Sequence, residues 1–379
     1  MKVLHILKLS GIGGVQSQFE VFFNNLTDKE KKRNLIVNIG RIDSIYGSIL
    51  PFGNNYLRKL FVYLFSRDVV VHSYNNLTSK KYNLIYKILK PNNLIFHERG
   101  NAWNLSLSKK QLVIDNAKLS KLIICNSEAT KIILNKKFDI NKDKLVVIHN
   151  GVLSDYMIKQ ATMANKHTSN KKYIIGYVGR LETNKGVQSL IESMCYLDND
   201  VFELHIIGDG SLRAEYEKYA NELNIKSIRF LGRVKDAWSE MAKFDVMVVP
   251  SIREPLGNVI IEAALQRVPV VASKVDGIVE IIENHYSGIL LKPSSMIDER
   301  FVSDSVPLPE YIVDVENEKL EKPMRLDAIK LAEAIKYMHD NRSIASEFTE
   351  KLYSKVVNEF HIDKYNKNLF RIYESVLTP

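Results

Sequence analysis

The chain has 379 residues, 45% of them hydrophobic and 26% charged, with a formal net charge of +9. That length exceeds what one hydrophobic core usually organises, so about two domains are expected. The composition excludes a disordered or fibrous chain, and no run of roughly 18 apolar residues reads as a spanning helix. Only two cysteines occur, Cys125 and Cys195, each in an apolar segment. They exclude a disulfide framework, and two buried thiols fit a reducing, cytoplasmic location.

The charge is uneven. Residues 1–160 hold 25 Lys+Arg against 11 Asp+Glu, a net of +14, leaving 28 against 33, a net of −5, for the remainder. A basic first half suggests an anionic partner such as a membrane surface, a lipid phosphate or nucleic acid. Solvated lysines are the plain alternative, and basicity alone does not choose.

In chain order, "MKVLHILKLSGIGG" has too short an apolar core for a signal peptide and reads as a first strand, "VLHIL" at 3–7. Further buried strands are expected at 35–39, 69–73, 94–97, 122–126 and 145–149, with amphipathic helices at 15–26, 78–89 and 127–134 between several of them. Strands alternating with helices imply βαβ units and a parallel sheet. Residues 159–172 are polar and read as a linker. The pattern then restarts, with strands at 173–179, 203–208, 228–232, 245–250, 268–273 and 288–293. Helices fill the gaps at about 186–197, 212–223, 235–243, 257–266 and 277–284. Residues 294–325 break the rhythm and receive no assignment, and helical pattern resumes at Leu326. The expected fold class is α/β, two Rossmann-like doubly wound domains facing across a cleft. Open α/β sheets bind ligands beyond the carboxyl ends of their strands, so loops that follow strands are where chemistry is sought.

"REPLGNVIIEA" (253–263) follows the strand at 245–250 and places Glu254-x7-Glu262 around Pro255, Gly257 and Asn258. Gly257 lets a ligand approach the backbone, Asn258 is an N-cap candidate, and a helix N-terminus attracts phosphate. Alone, two glutamates at this spacing are ordinary surface, and a lone Arg180 or Lys185 is a solvated charge. The ordered set says more. Glu254-x7-Glu262 joins "GYVGRLETNKG" (176–186), "IIGDGSL" (206–212), "FLGRV" (230–234) and "SGILLKP" (287–293). Across residues 173–293 this set resembles the retaining glycosyltransferases of the GT-B fold, family GT4, while the first half matches mainly in pattern.

The resemblance implies roles residue by residue. Arg180 and Lys185 correspond to the cations that hold a donor's diphosphate. Glu262 corresponds to the carboxylate that binds ribose hydroxyls, and Glu254 to the one that contacts the donor sugar. The backbone of Leu256, Gly257 and Asn258 would meet sugar or phosphate oxygens, and Arg233 and Val234 would line the nucleobase pocket. In "SGIGGVQSQ" (10–18), Gly13 and Gly14 correspond to the glycine loop near donor phosphates or acceptor, although Gln16 replaces the third glycine of a dinucleotide fingerprint. His97, ending the strand in "LIFHERG", corresponds to a histidine beside the donor sugar, with Glu98 and Arg99 as weaker acceptor contacts; a strand-end histidine is otherwise usually structural. Asn126 and Ser127 also end a strand, where such residues commonly cap a helix.

Asp198 and Asp200 in "LDND" precede a strand, at the amino edge of the sheet, and read as a turn; no protein-bound metal and no cofactor are expected. The expectation is therefore a metal-independent retaining glycosyltransferase of bacterial surface polysaccharide synthesis. It would take a nucleotide sugar as donor and a glycan or polyprenyl-diphosphate-linked glycan as acceptor, and no nucleic acid. Its acceptor-side domain spans 1–165 with a returning helix at about 355–379, and its donor domain 166–354. It is expected in the cytoplasm, with an anionic membrane surface as a further partner on the inner face; the aromatic and basic stretch 54–67 reads either as the segment for that contact or, the favoured reading, as an ordinary buried helix. The alternatives are an epimerase or phosphorylase of the same fold, and a non-enzymatic basic protein for membrane or nucleic acid, which has no need of Arg180, Lys185, Glu254 and Glu262 together.

Overall fold

A computed structural model describes residues 1–9, 14–38, 66, 68–151 and 172–378. The chain divides into two compact units, Met1–Ser154 with Phe360–Pro379, and Asp155–Glu359. The expected strands fall in place within two residues at their ends, because each is a short apolar run bounded by polar residues.

The first unit is a six-stranded parallel sheet in the order β2-β1-β3-β4-β5-β6. Its strands are β1 (Lys2–Leu7), β2 (Asn34–Asn38), β3 (Val69–Tyr74), β4 (Leu94–Glu98), β5 (Leu122–Cys125) and β6 (Leu145–Val147). Every residue of β3 and β4 is buried, as a sheet covered on both faces requires. The helices that cover it start where the sequence supplies a cap. Ser79 accepts from the Tyr82 N–H before the Lys80–Leu89 helix, and Ser127 accepts from the Thr130 N–H before Glu128–Phe138. The C-terminal helix Ile362–Leu377 belongs to this unit: Ile362, Tyr365, Leu369, Tyr373 and Val376 are buried among Phe19, Phe22, Val70 and Tyr74. Gly151 permits that packing, since a Cβ there would lie 2.4 Å from Tyr365 Cβ. A helix at Lys110–Leu119 was not expected from the sequence; only Val113, Asn116 and Ala117 of it are buried, too few to write a clear period.

The second unit is a six-stranded parallel sheet in the order β12-β11-β10-β7-β8-β9. It comprises β7 (Tyr173–Val178), β8 (Phe202–Ile207), β9 (Ile228–Gly232), β10 (Val246–Val249), β11 (Val270–Ser273) and β12 (Ile289–Leu291). All four residues of β10 and of β11 are buried, and full burial of each valine or methionine among them contributes about 1.5–3 kcal/mol. The unassigned segment 294–325 holds a short antiparallel hairpin, β13 (Ile312–Asp314) with β14 (Lys319–Glu321). One expectation is corrected: Cys125 is buried, but Cys195 is exposed, because it sits in the 3-10 turn Met194–Tyr196 that ends the preceding helix.

Candidate functional site

In the second sheet, β7 lies between β8 and β10, so the chain leaves β7 toward one edge and later returns to run toward the other. Such a switch point is where open α/β sheets form a crevice. The loops leaving the carboxyl ends of β7 and β10 meet there. The N–H groups of Ile252 and Arg253 both donate to the Asn184 carbonyl, at 3.0 and 3.2 Å. Gly186 has φ +61°, and a Cβ on it would lie 2.2 Å from the Pro250 carbonyl oxygen. Only glycine allows this approach.

Two predicted site residues are brought into direct contact. Lys185, in the 3-10 turn Thr183–Lys185, donates from Nζ to Glu254 Oε2 at 2.5 Å, with side chains 18% and 12% exposed. Ser251 Oγ donates to the same oxygen at 3.3 Å. The Glu254 backbone is held as firmly as its side chain. Its N–H donates to Asp276 Oδ2 at 2.9 Å, and its carbonyl accepts from the Gly277 N–H at 3.1 Å. A largely desolvated lysine beside a carboxylate is a polar floor that can hold an anion and a hydroxyl side by side.

Asp276 escaped the sequence reading. It is fully buried, adopts φ +44°, and its second oxygen, Oδ1, accepts from the Val313 N–H at 2.7 Å. Its own N–H donates to the Val313 carbonyl at 3.1 Å. The segment 294–325 thereby supports the loop that carries Glu254. It also braces the β7 loop. The Ser303 N–H donates to Thr183 Oγ1 at 2.7 Å, and Ser211 and Ser305 hydroxyls donate to Glu182 Oε2 at 2.6 and 3.3 Å. No local signal announces these bonds, since each joins residues far apart in sequence.

The helix Asn258–Leu265 follows Glu254. Its N-cap is Gly257, at φ +105°, and Asn258 is the first helical residue, which corrects the expectation that Asn258 caps it. The positive φ that the turn needs is natural for glycine. Leu256 is buried. Glu262 lies in the second turn, partly buried, and its burial pushes the carboxyl up to about 7. Arg180 is exposed, with its carbonyl accepting from the Tyr177 hydroxyl at 2.9 Å. Arg233 and Val234 follow β9, two strands from β7. Arg233 is 82% exposed, with Asp209 Oδ2 at 3.8 Å, and Val234 is partly buried.

In the first unit, His97 is the penultimate residue of β4 and is 1% exposed. Its Nδ1 is 3.2 Å from His72 Nε2, and its Nε2 is buried without a hydrogen-bond partner among the described residues. Glu98 accepts from the Asn101 and Ala102 N–H groups; burial pushes its carboxyl up to about 7. Arg99 donates from Nη2 to Asn150 Oδ1 at 2.5 Å. Asn126 and Ser127 cap a helix: Ser127 Oγ accepts from the Thr130 N–H, and Thr130 Oγ1 donates to Asn126 Oδ1 at 2.6 Å. Gly14 opens the helix Gly14–Asn24; Gly13 lies outside the described residues, as do the linker residues 159–171 and, but for Ser66, the stretch 54–67. Asp198 forms a turn before β8, accepting from the Asp200 N–H at 2.9 Å. Among the described residues no helix is long and apolar enough to cross a membrane.

Residues 159–299 match the family model described as glycosyl transferases group 1. The chain is 31% identical over 209 residues to the uncharacterized glycosyltransferase MJ1178 of Methanocaldococcus jannaschii, covering 54% of this chain and 52% of that one. It is 26% identical over 191 residues to the capsular polysaccharide biosynthesis glycosyltransferase CapM of Staphylococcus aureus, covering 49% and 46%. The chain spans about half the length of the curated relatives it matches. Among solved structures, Anabaena Alr3699/HepE in complex with UDP superposes with a TM-score of 0.72 at 18% identity, covering 99% of this chain and 100% of that one. At that identity the likeness establishes the fold: an α/β chain of two six-stranded parallel sheets with helices, as in GT-B structures.

Proposed function

We propose that the chain is a metal-independent, retaining glycosyltransferase that moves a sugar from a nucleotide sugar to a hydroxyl on a glycan or lipid-linked glycan in surface polysaccharide synthesis. The observation that carries the reading is the Lys185–Glu254 pair on two loops at the switch point of the second sheet. It lies within the segment that matches glycosyl transferases group 1.

Lys185 and Arg180 bind the donor diphosphate and neutralise the charge that grows on it as the glycosidic bond breaks. Two cations, Lys185 and Arg180, supply what a divalent ion supplies elsewhere, which is why no metal is invoked. Glu254 accepts a hydrogen bond from a donor-sugar hydroxyl, and Glu262 binds the ribose hydroxyls. The backbone of Leu256, Gly257 and Asn258 meets sugar or phosphate oxygens at the helix N-terminus. Arg233 and Val234 line the base; in the first unit, His97 and the Gly13–Gly14 loop are that unit's own candidates for ligand contact. The bond from the anomeric carbon to the leaving phosphate oxygen breaks as the acceptor oxygen bonds on the same face. The acceptor's proton passes to that phosphate oxygen, so configuration is retained without a protein nucleophile.

The structural likeness to a protein solved with UDP and UDP-glucose makes uridine diphosphate sugars the first donors to test. Incubating the enzyme with a nucleotide-sugar panel, lipid-linked glycan acceptors and EDTA tests the reading: transfer with retained anomeric configuration supports it, and inversion or a strict metal requirement contradicts it. The basic first half, at +14, supports a reading in which the enzyme docks on the inner membrane face. Sedimentation with anionic vesicles that weakens with salt supports that placement, and indifference at low salt refutes it.

A further inference from the structure

On the helix Lys80–Leu89 of the first unit, the buried side chains are Asn83 and Tyr86, while Leu84 and Ile88 are 60% and 71% exposed. Hydrogen bonds fix the inward side. Asn83 Nδ2 donates to Asn116 Oδ1 at 2.9 Å, and the Tyr86 hydroxyl donates to Ser73 Oγ at 2.7 Å. A rotation of the helix that hid Leu84 and Ile88 would break both bonds. A single exposed leucine is ordinary on a protein surface. Two aliphatic side chains one turn apart, about 6 Å along the helix axis, form a ridge.

The rim of that ridge is basic. At about 100° per residue, Lys80, Lys81, Lys87 and Ile88 all fall within about 60° of Leu84 around the helix axis. Leu84 and Ile88 take the middle of this arc, with Lys80 and Lys87 on one side and Lys81 on the other. All three lysines are exposed, and Lys90, in the left-handed C-cap, adds a fourth exposed cation. No Asp or Glu occurs between Asp68 and Glu98. Lys80 and Lys81 stand in the first turn, where a cation opposes the helix dipole, so they do not serve the helix itself. By contrast, the helix Ala328–Asp340, with Ile329 and Tyr337 exposed, carries the exposed Glu333 between them and mixes both charges.

We infer that this helix face docks on an anionic lipid bilayer, with Leu84 and Ile88 inserted at the edge of the acyl chains and the lysines on lipid phosphates. Aliphatic side chains flanked by lysines suit the boundary between hydrocarbon and headgroups, because a lysine stem can lie along apolar surface while its ammonium reaches phosphate. The arc holds no aromatic side chain and no arginine to stack on a base, so it lacks the platform that single-stranded nucleic acid uses. Its charge is complementary to an anionic leaflet along its whole rim. That contact rests on the membrane docking proposed above and locates it on one helix, which net charge alone could not do.

Flotation of the full chain with vesicles of equal parts phosphatidylglycerol and phosphatidylcholine tests it, with pure phosphatidylcholine as the reference. The wild type should bind the anionic vesicles and release them as salt rises. Leu84→Ser with Ile88→Ser should weaken that binding by on the order of 10²-fold, about tenfold for each aliphatic side chain. Lys80→Gln, Lys81→Gln and Lys87→Gln together should weaken it by about fivefold per lysine. A wild type that ignores anionic vesicles at low salt overturns the membrane docking and this surface with it. A wild type that binds, with both variants binding equally well, leaves the docking standing and overturns this surface. Loss of binding in Arg58→Gln, Lys59→Gln and Arg67→Gln, with none in the helix variants, assigns the contact to 54–67 instead. Self-association that Leu84→Ser with Ile88→Ser abolishes, with vesicle binding unchanged, gives the face to a second copy of the chain and overturns the lipid assignment.

Discussion

Lys185 and Glu254 lie 69 positions apart in sequence on loops of two neighbouring strands, yet their side chains meet at 2.5 Å. In a diphosphate-bound enzyme, Lys185 has a second anion to serve, and its effect is greatest when negative charge on the leaving group peaks. Lys185→Ala and Arg180→Ala should each lower turnover by about 10²–10³ at saturating donor, the scale for removing one such stabilising group. Steady-state kinetics check this. Unchanged turnover removes both residues from the chemistry.

Asp276 binds the Glu254 N–H with one oxygen and the Val313 N–H with the other. Asp276→Asn keeps an acceptor for only one of them and turns an amide NH₂ toward the other. The loss of one charge-assisted hydrogen bond should cost about 1.5–3 kcal/mol in urea unfolding and lower turnover with it. Wild-type stability and turnover in this variant would mean that the hairpin does not support the Glu254 loop.

Gly186 offers a sharper mutation. A left-handed residue with a Cβ costs about 1–2 kcal/mol, and here the Cβ would also strike the Pro250 carbonyl at 2.2 Å. Gly186→Ala should therefore destabilise the protein and separate the β7 and β10 loops. Thermal unfolding and donor affinity should fall together; a stable variant with intact affinity would show that the loops need not be laced.

Glu262 should make donor binding depend on pH. Its carboxyl titrates near 4.5 when unfolded and at about 7 when folded, because burial disfavours the anion. The folded state holds the proton more tightly, so stability falls as pH rises from 4.5 to 7, by on the order of 3 kcal/mol in total. Only the ionised carboxylate accepts from both ribose hydroxyls, so affinity for UDP-glucose should rise through about pH 7. Glu262→Gln should flatten both profiles. Isothermal titration across pH decides it, and a wild-type profile retained in the variant would exclude Glu262 as the group responsible.

The parallel strands were legible because β3, β4, β10 and β11 each begin with at least three consecutive apolar residues, and the glycine, lysine and glutamate positions were legible because they follow such runs. What the sequence hid is long-range. The hairpin of β13 and β14 has three-residue strands and no period to read, and Asp276 acts through backbone N–H groups supplied by distant segments. His72 looked like a strand residue and nothing more; its hydroxyl partner, Tyr373, lies 301 positions away. The N-cap was placed on Asn258 because asparagine is a common cap, while the turn's positive φ put Gly257 there instead.

The central claim is a donor site on the loops after β7 and β10. Hydrogen–deuterium exchange of the full chain tests it most directly, with and without a panel of UDP-, GDP-, ADP- and TDP-sugars. The account predicts that at least one nucleotide sugar protects backbone amides in 179–186 and 250–262, and that Lys185→Ala and Glu262→Gln weaken that protection. Protection confined to other segments, or none from any member of the panel, would contradict it.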